Sequence, residues 1–165
     1  MKNRPLTYLI IAGEGGHFEQ AKRICKLISS KKRNVIIITE FSPIANNCIY
    51  KTIFDLNISG LSKNHRFFFL FFMPFYLLIK TILNIHIIYK YRPVKIITLG
   101  PFFSVSWTIS ALILKIKNIH IETWSRFSSL SITTKFLLKL PIKVFYQNKS
   151  LDQILSKKAE YIGRL

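Results

Sequence analysis

The side chains best placed to do chemistry come early in the 165-residue chain, in the stretch IIAGEGGHFEQAKRICKLI at residues 10–28. An apolar run stops at Gly13, Gly15 and Gly16, and His17 follows at the mouth of a helix-like pattern. Glycine permits a tight turn and close backbone approach. A helix N-terminus adds unpaired N–H groups and the positive end of the helix dipole, so phosphate or diphosphate is the natural guest. The order is not the dinucleotide GxGxxG fingerprint, because His17 falls between the glycine pair and the helix and no third glycine follows at the required place. Two readings of the loop stay open: an anion cradle, or glycines that serve only the strand-to-helix turn while His17 caps the helix. In either case Gly15→Val is expected to crowd the turn. Cys25 and Cys48 lack CxxC spacing, which implies neither a metal site nor a disulfide framework and fits a reducing compartment.

The elements that must hold this loop read as an alternation. Residues 6–12 form a strand-like apolar run, and residues 17–30 place Phe18, Ala21, Ile24, Cys25 and Ile28 at the three- and four-residue steps of an amphipathic helix. Residues 35–39 are a second buried strand and residues 52–56 a short edge strand. After a long apolar stretch, VKIITL at 94–99 is another strand, ended by Gly100 and Pro101 and followed by a helix over 104–115. Strands at 119–123, 144–146 and 161–162, with a helix over 131–138 and a short one near Leu151, complete the order. Continuous apolar strands alternating with helices imply a parallel sheet covered on both faces, so the fold class is α/β, doubly wound, in a single domain. Ligands of such sheets collect beyond the carboxyl ends of the strands, where the glycine loop lies.

Charge narrows the partners. Lys and Arg number 25 against 7 Asp and Glu, a formal charge of +18, which favours anionic partners: nucleic acid, acidic lipid or phosphorylated ligands. The basic start of the chain leads into the glycine loop instead of a small-residue cleavage site, so no signal peptide is expected and the chain reads as cytoplasmic.

A second stretch, HIETWSRFSSLSITTKFLLKLPIKVFYQ at residues 120–147, gives the loop a context. Gly13-x-Gly15-Gly16-His17 after a first strand resembles the N-terminal loop of GT-B glycosyltransferases that use lipid-linked acceptors. Glu122, Arg126, Ser129, Ser131, Thr133 and Gln147 are similar to the E-S-x-x-R-x-x-S-x-S-x-T pattern and later glutamine of the small membrane-associated subunit of two-chain UDP-sugar glycosyltransferases, found in asparagine-linked glycosylation and in bacterial capsule and exopolysaccharide synthesis. The final AEYIGRL looks like that family's closing strand and glycine. The resemblance implies a Rossmann-like sheet equivalent to the N-terminal half of a GT-B enzyme. It implies His17 as base or orienting partner for an attacking sugar hydroxyl, and Glu122 as a second catalytic group that binds sugar hydroxyls or holds Arg126. Arg126, Gly13, Gly15, Gly16 and Gly100 would bind the diphosphate of a lipid-linked acceptor. A structural Glu122–Arg126 ion pair explains the same spacing, and Ser129, Ser131 and Thr133 read as the start of the next helix. Glu14 stands where the family carries a small residue, and would repel a diphosphate unless turned away.

One further block stands apart. Residues 67–79 are thirteen consecutive apolar residues that include Phe67, Phe68, Phe71, Phe72 and Phe75, and the apolar character continues to about residue 90. A span needs about 20 apolar residues, and Pro74 and Lys80 interrupt this one. A helix in the bilayer interface flanked by Lys63, His65, Arg66, Lys80, Lys90 and Arg92 accounts for both the aromatics and the charge, and places the chain on the cytoplasmic face of a membrane. By the resemblance, the UDP-sugar donor binds a separate catalytic subunit, no cofactor belongs to this chain, the chain is inactive alone, and its last residues from Gln147 onward dock that partner. Two rivals remain at this stage. A basic nucleic-acid module would need aromatics interleaved with cations, which the sequence lacks; a small stand-alone nucleotide enzyme would use Glu40, at the end of the second strand, for a ribose.

Overall fold

The apolar runs assemble side by side into one seven-stranded sheet in the computed structural model of the chain, which describes residues 6–29, 33–39, 50–54, 66–155 and 159–164. The strands are β1 (Thr7–Ala12), β2 (Asn34–Thr39), β3 (Tyr50–Phe54), β4 (Lys95–Leu99), β5 (Lys117–Ile121), β6 (Lys143–Tyr146) and β7 (Ala159–Tyr161). The helices are α1 (Gly16–Ser29), α2 (Arg66–Tyr91), α3 (Ser104–Ile113) and α4 (Ile132–Leu137). Every ladder is parallel, and the spatial order is β3-β2-β1-β4-β5-β6-β7. The fold class is therefore the doubly wound α/β sheet that the alternation implies. Chain direction across the sheet reverses between β1 and β4, so the loops leaving those two strands part and open a crevice at their carboxyl ends.

Two layers cover the sheet because its strands are apolar on both faces. On one, Phe18, Ala21, Ile24 and Cys25 of α1 pack on Ile10, Ala12, Ile37, Leu99 and Ile121. On the other, Ile88 of α2 with Phe103, Trp107 and Ala111 packs on Leu9, Ile11, Ile36, Ile38 and Ile96. Since neighbours along a strand point to opposite faces, Ile97, Leu99 and Ile121 on the α1 side put Thr98, His120 and, just past β5, Glu122 on the α3 side.

The apolar block is one helix of 26 residues, and its two ends differ. None of residues 72–79 is buried, whereas Lys80, Thr81, Asn84 and Ile88 are. The Pro74 and Lys80 that read as interruptions both lie inside it. Its C-terminal half is pinned to α3 by polar contacts: Asn84 Nδ2 donates to Ser106 Oγ at 3.0 Å, and Ser110 Oγ donates to the Thr81 carbonyl at 3.0 Å. These contacts run in opposite senses along the two helices, so α2 lies antiparallel to α3, and the half before Lys80 extends toward and beyond the α3 C-terminus. The side chains of Phe67, Phe68 and Phe71, like Glu40, Cys48, Lys63 and His65, lie outside the described residues.

Candidate active site

The crevice is built from the two loops at the reversal point. Gly15 has φ +60° and leads into α1, whose second residue is His17; Gly100 ends β4 with φ +74°. A Cβ on Gly100 would stand 1.9 Å from Cε1, 2.5 Å from Nδ1 and 2.6 Å from Nε2 of His17. The imidazole therefore lies flush against the Gly100 backbone, in a space that only glycine leaves. A Cβ on Gly13 would meet Pro101 Cβ and Cγ at 3.2 Å and His17 Cδ2 at 3.7 Å, so the ring is wedged between both loops. Around Gly15 and Gly16 there is open space within 4 Å, so the crowding expected of Gly15→Val falls at Gly100 instead. The positive φ of Gly15 still opposes a side chain.

His17 does not cap its helix. Its Nδ1 is buried without a hydrogen-bond partner among the described residues. Burial lowers its pKa below the ordinary value of 6.5, against the opposing pull of the Glu122 carboxylate and with the repulsion of Arg126. Glu122 and Arg126 thus each lie within electrostatic reach of His17. At neutral pH the ring is neutral and able to accept a proton.

Glu122 is fully buried just beyond β5. Its Oε1 accepts from the Thr123 N–H at 3.0 Å and its Oε2 from the Ser131 N–H at 2.9 Å, while Gln147 Nε2 donates to its carbonyl at 3.1 Å. The Glu122–Arg126 ion pair left open by the spacing does not form among the described residues. Residues 122–131 are a loop, where a spacing of four carries none of the helical proximity that would bring the two together. Arg126 is exposed at the rim, and Glu14 is exposed as well. Ser131 is the N-cap of α4, its Oγ accepting from the Thr134 N–H at 3.1 Å, as the helix-start reading expected.

Sequence reasoning missed the groups behind Glu122. His120 is fully buried between β4 and α4, with Nδ1 at 2.9 Å from Thr98 Oγ1 and Nε2 at 2.7 Å from Thr134 Oγ1. Its spacing of two from Glu122 puts the two on one face, but says nothing of the threonines that hold the ring. Ser104 Oγ, four residues past Gly100, and both polar atoms of Gln20, one turn beyond His17, are buried without partners among the described residues. No cluster of His, Cys, Asp or Glu among the described residues is arranged to hold a metal ion.

A doubly wound sheet with this crevice is the architecture of the N-terminal domain of GT-B glycosyltransferases. Among solved structures the chain is similar to MurG from Acinetobacter baumannii, at 14% identity and a TM-score of 0.63, over 98% of this chain and 44% of that one. A glycosyltransferase from Rickettsia africae ESF-5 matches at 17% identity and a TM-score of 0.67, again over 98% of this chain and 44% of the other. The UDP-GlcNAc 2-epimerase from Methanocaldococcus jannaschii matches at 14% identity and a TM-score of 0.59, over 96% of this chain and 46% of that enzyme. The chain thus spans less than half the length of these proteins, and at such identities the likeness is one of fold. No protein-family model matches the chain, and no curated protein matches it by sequence.

Proposed function

We propose that the chain is the membrane-associated, acceptor-binding subunit of a two-component glycosyltransferase in capsular or exopolysaccharide synthesis, holding a lipid-diphosphate-linked sugar beside a partner that binds the UDP-sugar. The observation that carries the reading is the His17 imidazole, seated in a glycine wedge at the carboxyl ends of β1 and β4 with no internal partner at Nδ1 and with Glu122 in electrostatic reach. In this role the acceptor hydroxyl attacks the anomeric carbon of the donor, the bond to the UDP oxygen breaks, and the hydroxyl proton passes to His17. Glu122, held as a carboxylate acceptor by two backbone N–H groups, stabilises the imidazolium that forms. Arg126 and the N–H groups of the Gly13–Gly16 loop bind the acceptor diphosphate.

The membrane part rests on α2. By length and composition residues Phe72–Tyr91 are apolar enough to cross a bilayer, and only 22% of that window is buried in the protein. Phe72, Phe75, Leu78, Ile79, Ile82 and Leu83 are all exposed. The half that precedes Lys80 amounts to about 21 Å of helix, short of the roughly 30 Å hydrocarbon core, and the other half is tied to α3. That favours a helix that dips into one leaflet on the cytoplasmic side over one that spans. The docking part rests on the C-terminal segment: the Arg164 guanidinium stacks 4.3 Å from the Trp124 ring and the Tyr146 and Tyr161 rings are 5.6 Å apart, which leaves exposed Tyr161 and Ile162 beside the loop that carries Glu122 and Arg126.

Reconstitution tests the reading. The full chain in phosphatidylglycerol vesicles is supplied with UDP-sugars and a polyprenyl-diphosphate-linked sugar, with and without the product of a neighbouring reading frame that carries a donor-binding domain. Transfer is expected only with the partner, and His17→Ala should lower it by about 100-fold or more. Transfer by this chain alone would overturn the two-component assignment, and undiminished transfer by His17→Ala would overturn the role of its imidazole.

A further inference from the structure

We infer that His120 is a positioning residue for Glu122: a neutral imidazole, spliced between two threonine hydroxyls, that fixes the start of α4 and, through the Ser131 N–H, the place of the Glu122 carboxylate. The hydrogen bonds define its state. The Thr98 hydroxyl donates to the Ile119 carbonyl at 3.3 Å, so its oxygen accepts from Nδ1–H of His120 at 2.9 Å. A neutral ring then presents a lone pair at Nε2, which takes the Thr134 hydroxyl proton at 2.7 Å, and Thr134 Oγ1 in turn accepts from Ser131 Oγ at 3.0 Å. This tautomer is assigned from the network. Read as one chain of donors, it runs from Ser131 through Thr134 and His120 to Thr98 and ends on the backbone of β5 itself.

The consequence lies at Ser131. Its N–H is one of the two donors to Glu122, and its Oγ caps α4, so the same residue closes the network and clamps the carboxylate. Ser131 is bound to β5 through His120 and to the residue just past β5 through Glu122. Lose the imidazole link and the Ser131 N–H bond to Glu122 is the remaining polar tie from the α4 start to the end of β5. Burial keeps His120 neutral, its pKa pushed down to about 4, with Glu122 just past β5 opposing that shift and His17 of α1 reinforcing it. A charged His120 would be a donor at both nitrogens and would break the acceptor half of the chain.

The inference takes from the proposed function only that His17 and Glu122 act together, and its test is arranged to separate the two. The full chain, labelled with ¹⁵N-histidine in detergent micelles, is titrated by NMR as wild type, Thr134→Val and Thr134→Ser. Valine keeps the shape and removes the hydroxyl; serine restores it. In Thr134→Val the His17 pKa should fall by roughly half a unit or more as the raising effect of Glu122 weakens, and in Thr134→Ser it should return to the wild-type value. In the reconstituted transferase the same valine variant should lower kcat with the donor KM unchanged. A folded Thr134→Val protein with an unmoved His17 pKa, or valine and serine variants that behave alike, would overturn the positioning role. A shifted His17 pKa in a protein that transfers no sugar under any condition would sustain it and reject the transferase reading instead.

Discussion

Acidification should destabilise this fold through His120. An exposed histidine takes up a proton near pH 6.5, whereas burial holds His120 down to about 4. Between those values the unfolded chain binds a proton that the folded chain refuses, so stability is fully present above pH 6.5 and is lost as pH falls toward 4. About 2.5 pH units at about 1.4 kcal/mol each comes to about 3.5 kcal/mol, of which about 3 is lost at pH 4, where half the folded molecules carry the proton. Set against a typical domain stability of about 5–15 kcal/mol, that is a large share. Urea unfolding in detergent, followed by the fluorescence of fully buried Trp107, measures it at pH 7 and at pH 4 for wild type and His120→Gln. Glutamine does not titrate, and the other ionisable groups cancel in the comparison. At pH 7 the variant should be the weaker by about 1 kcal/mol, for a lost hydrogen bond, and by pH 4 the order should reverse. Identical pH dependence in the two proteins would refute the argument.

Two other substitutions probe the crevice and the helix. Gly100→Ala should cost about 2 kcal/mol or more and displace the His17 ring signals, because its Cβ would overlap the imidazole at 1.9 Å, while Gly15→Ala, with open space around it, should cost about 1 kcal/mol from its φ alone and leave those signals in place; thermal melts and ¹⁵N-histidine spectra check both. Replacing Phe72, Phe75 and Ile79 together with serine, all three exposed, should release the chain from phosphatidylglycerol vesicles in a sedimentation assay without lowering its melting temperature.

How far the site was legible depended on whether the signal was local. The glycine loop, Gly100 and the succession of strands along the chain were readable because each is punctuation or an apolar run along a few residues. Edges moved by a residue or two: β3 spans Tyr50–Phe54 where residues 52–56 were expected, and α3 stops at Ile113, with Lys115 in a left-handed turn at φ 53°. Pro74 and Lys80 looked like breaks because composition says nothing of what a helix leans on. Lys80 is buried in the helix interior with its ammonium 5.9 Å from the Tyr76 ring. Glu122 was singled out by resemblance, and the Arg126 pairing its spacing left open does not form among the described residues: the Ser131 N–H that holds it is nine residues away across a loop. His120 escaped altogether: an imidazole between two threonines becomes visible only once β4 is laid against β5 with Thr98 opposite His120, and that register is a property of the folded sheet.

The seam between α2 and α3 has a mechanical consequence. Two helices joined by methyl groups alone can creep past each other in small steps, since dispersion contacts reform wherever the surfaces meet. Here Asn84 engages Ser106 and Ser110 engages the Thr81 carbonyl, discrete catches that hold at one offset and release together. Each is worth about 1 kcal/mol, so the joint behaves as a detent rather than a bearing. Through it, a load on the exposed half of α2 reaches α3, whose first residue stands four positions from the Gly100 backbone that seats the imidazole. The crevice and the apolar helix are thereby two ends of one stiff linkage.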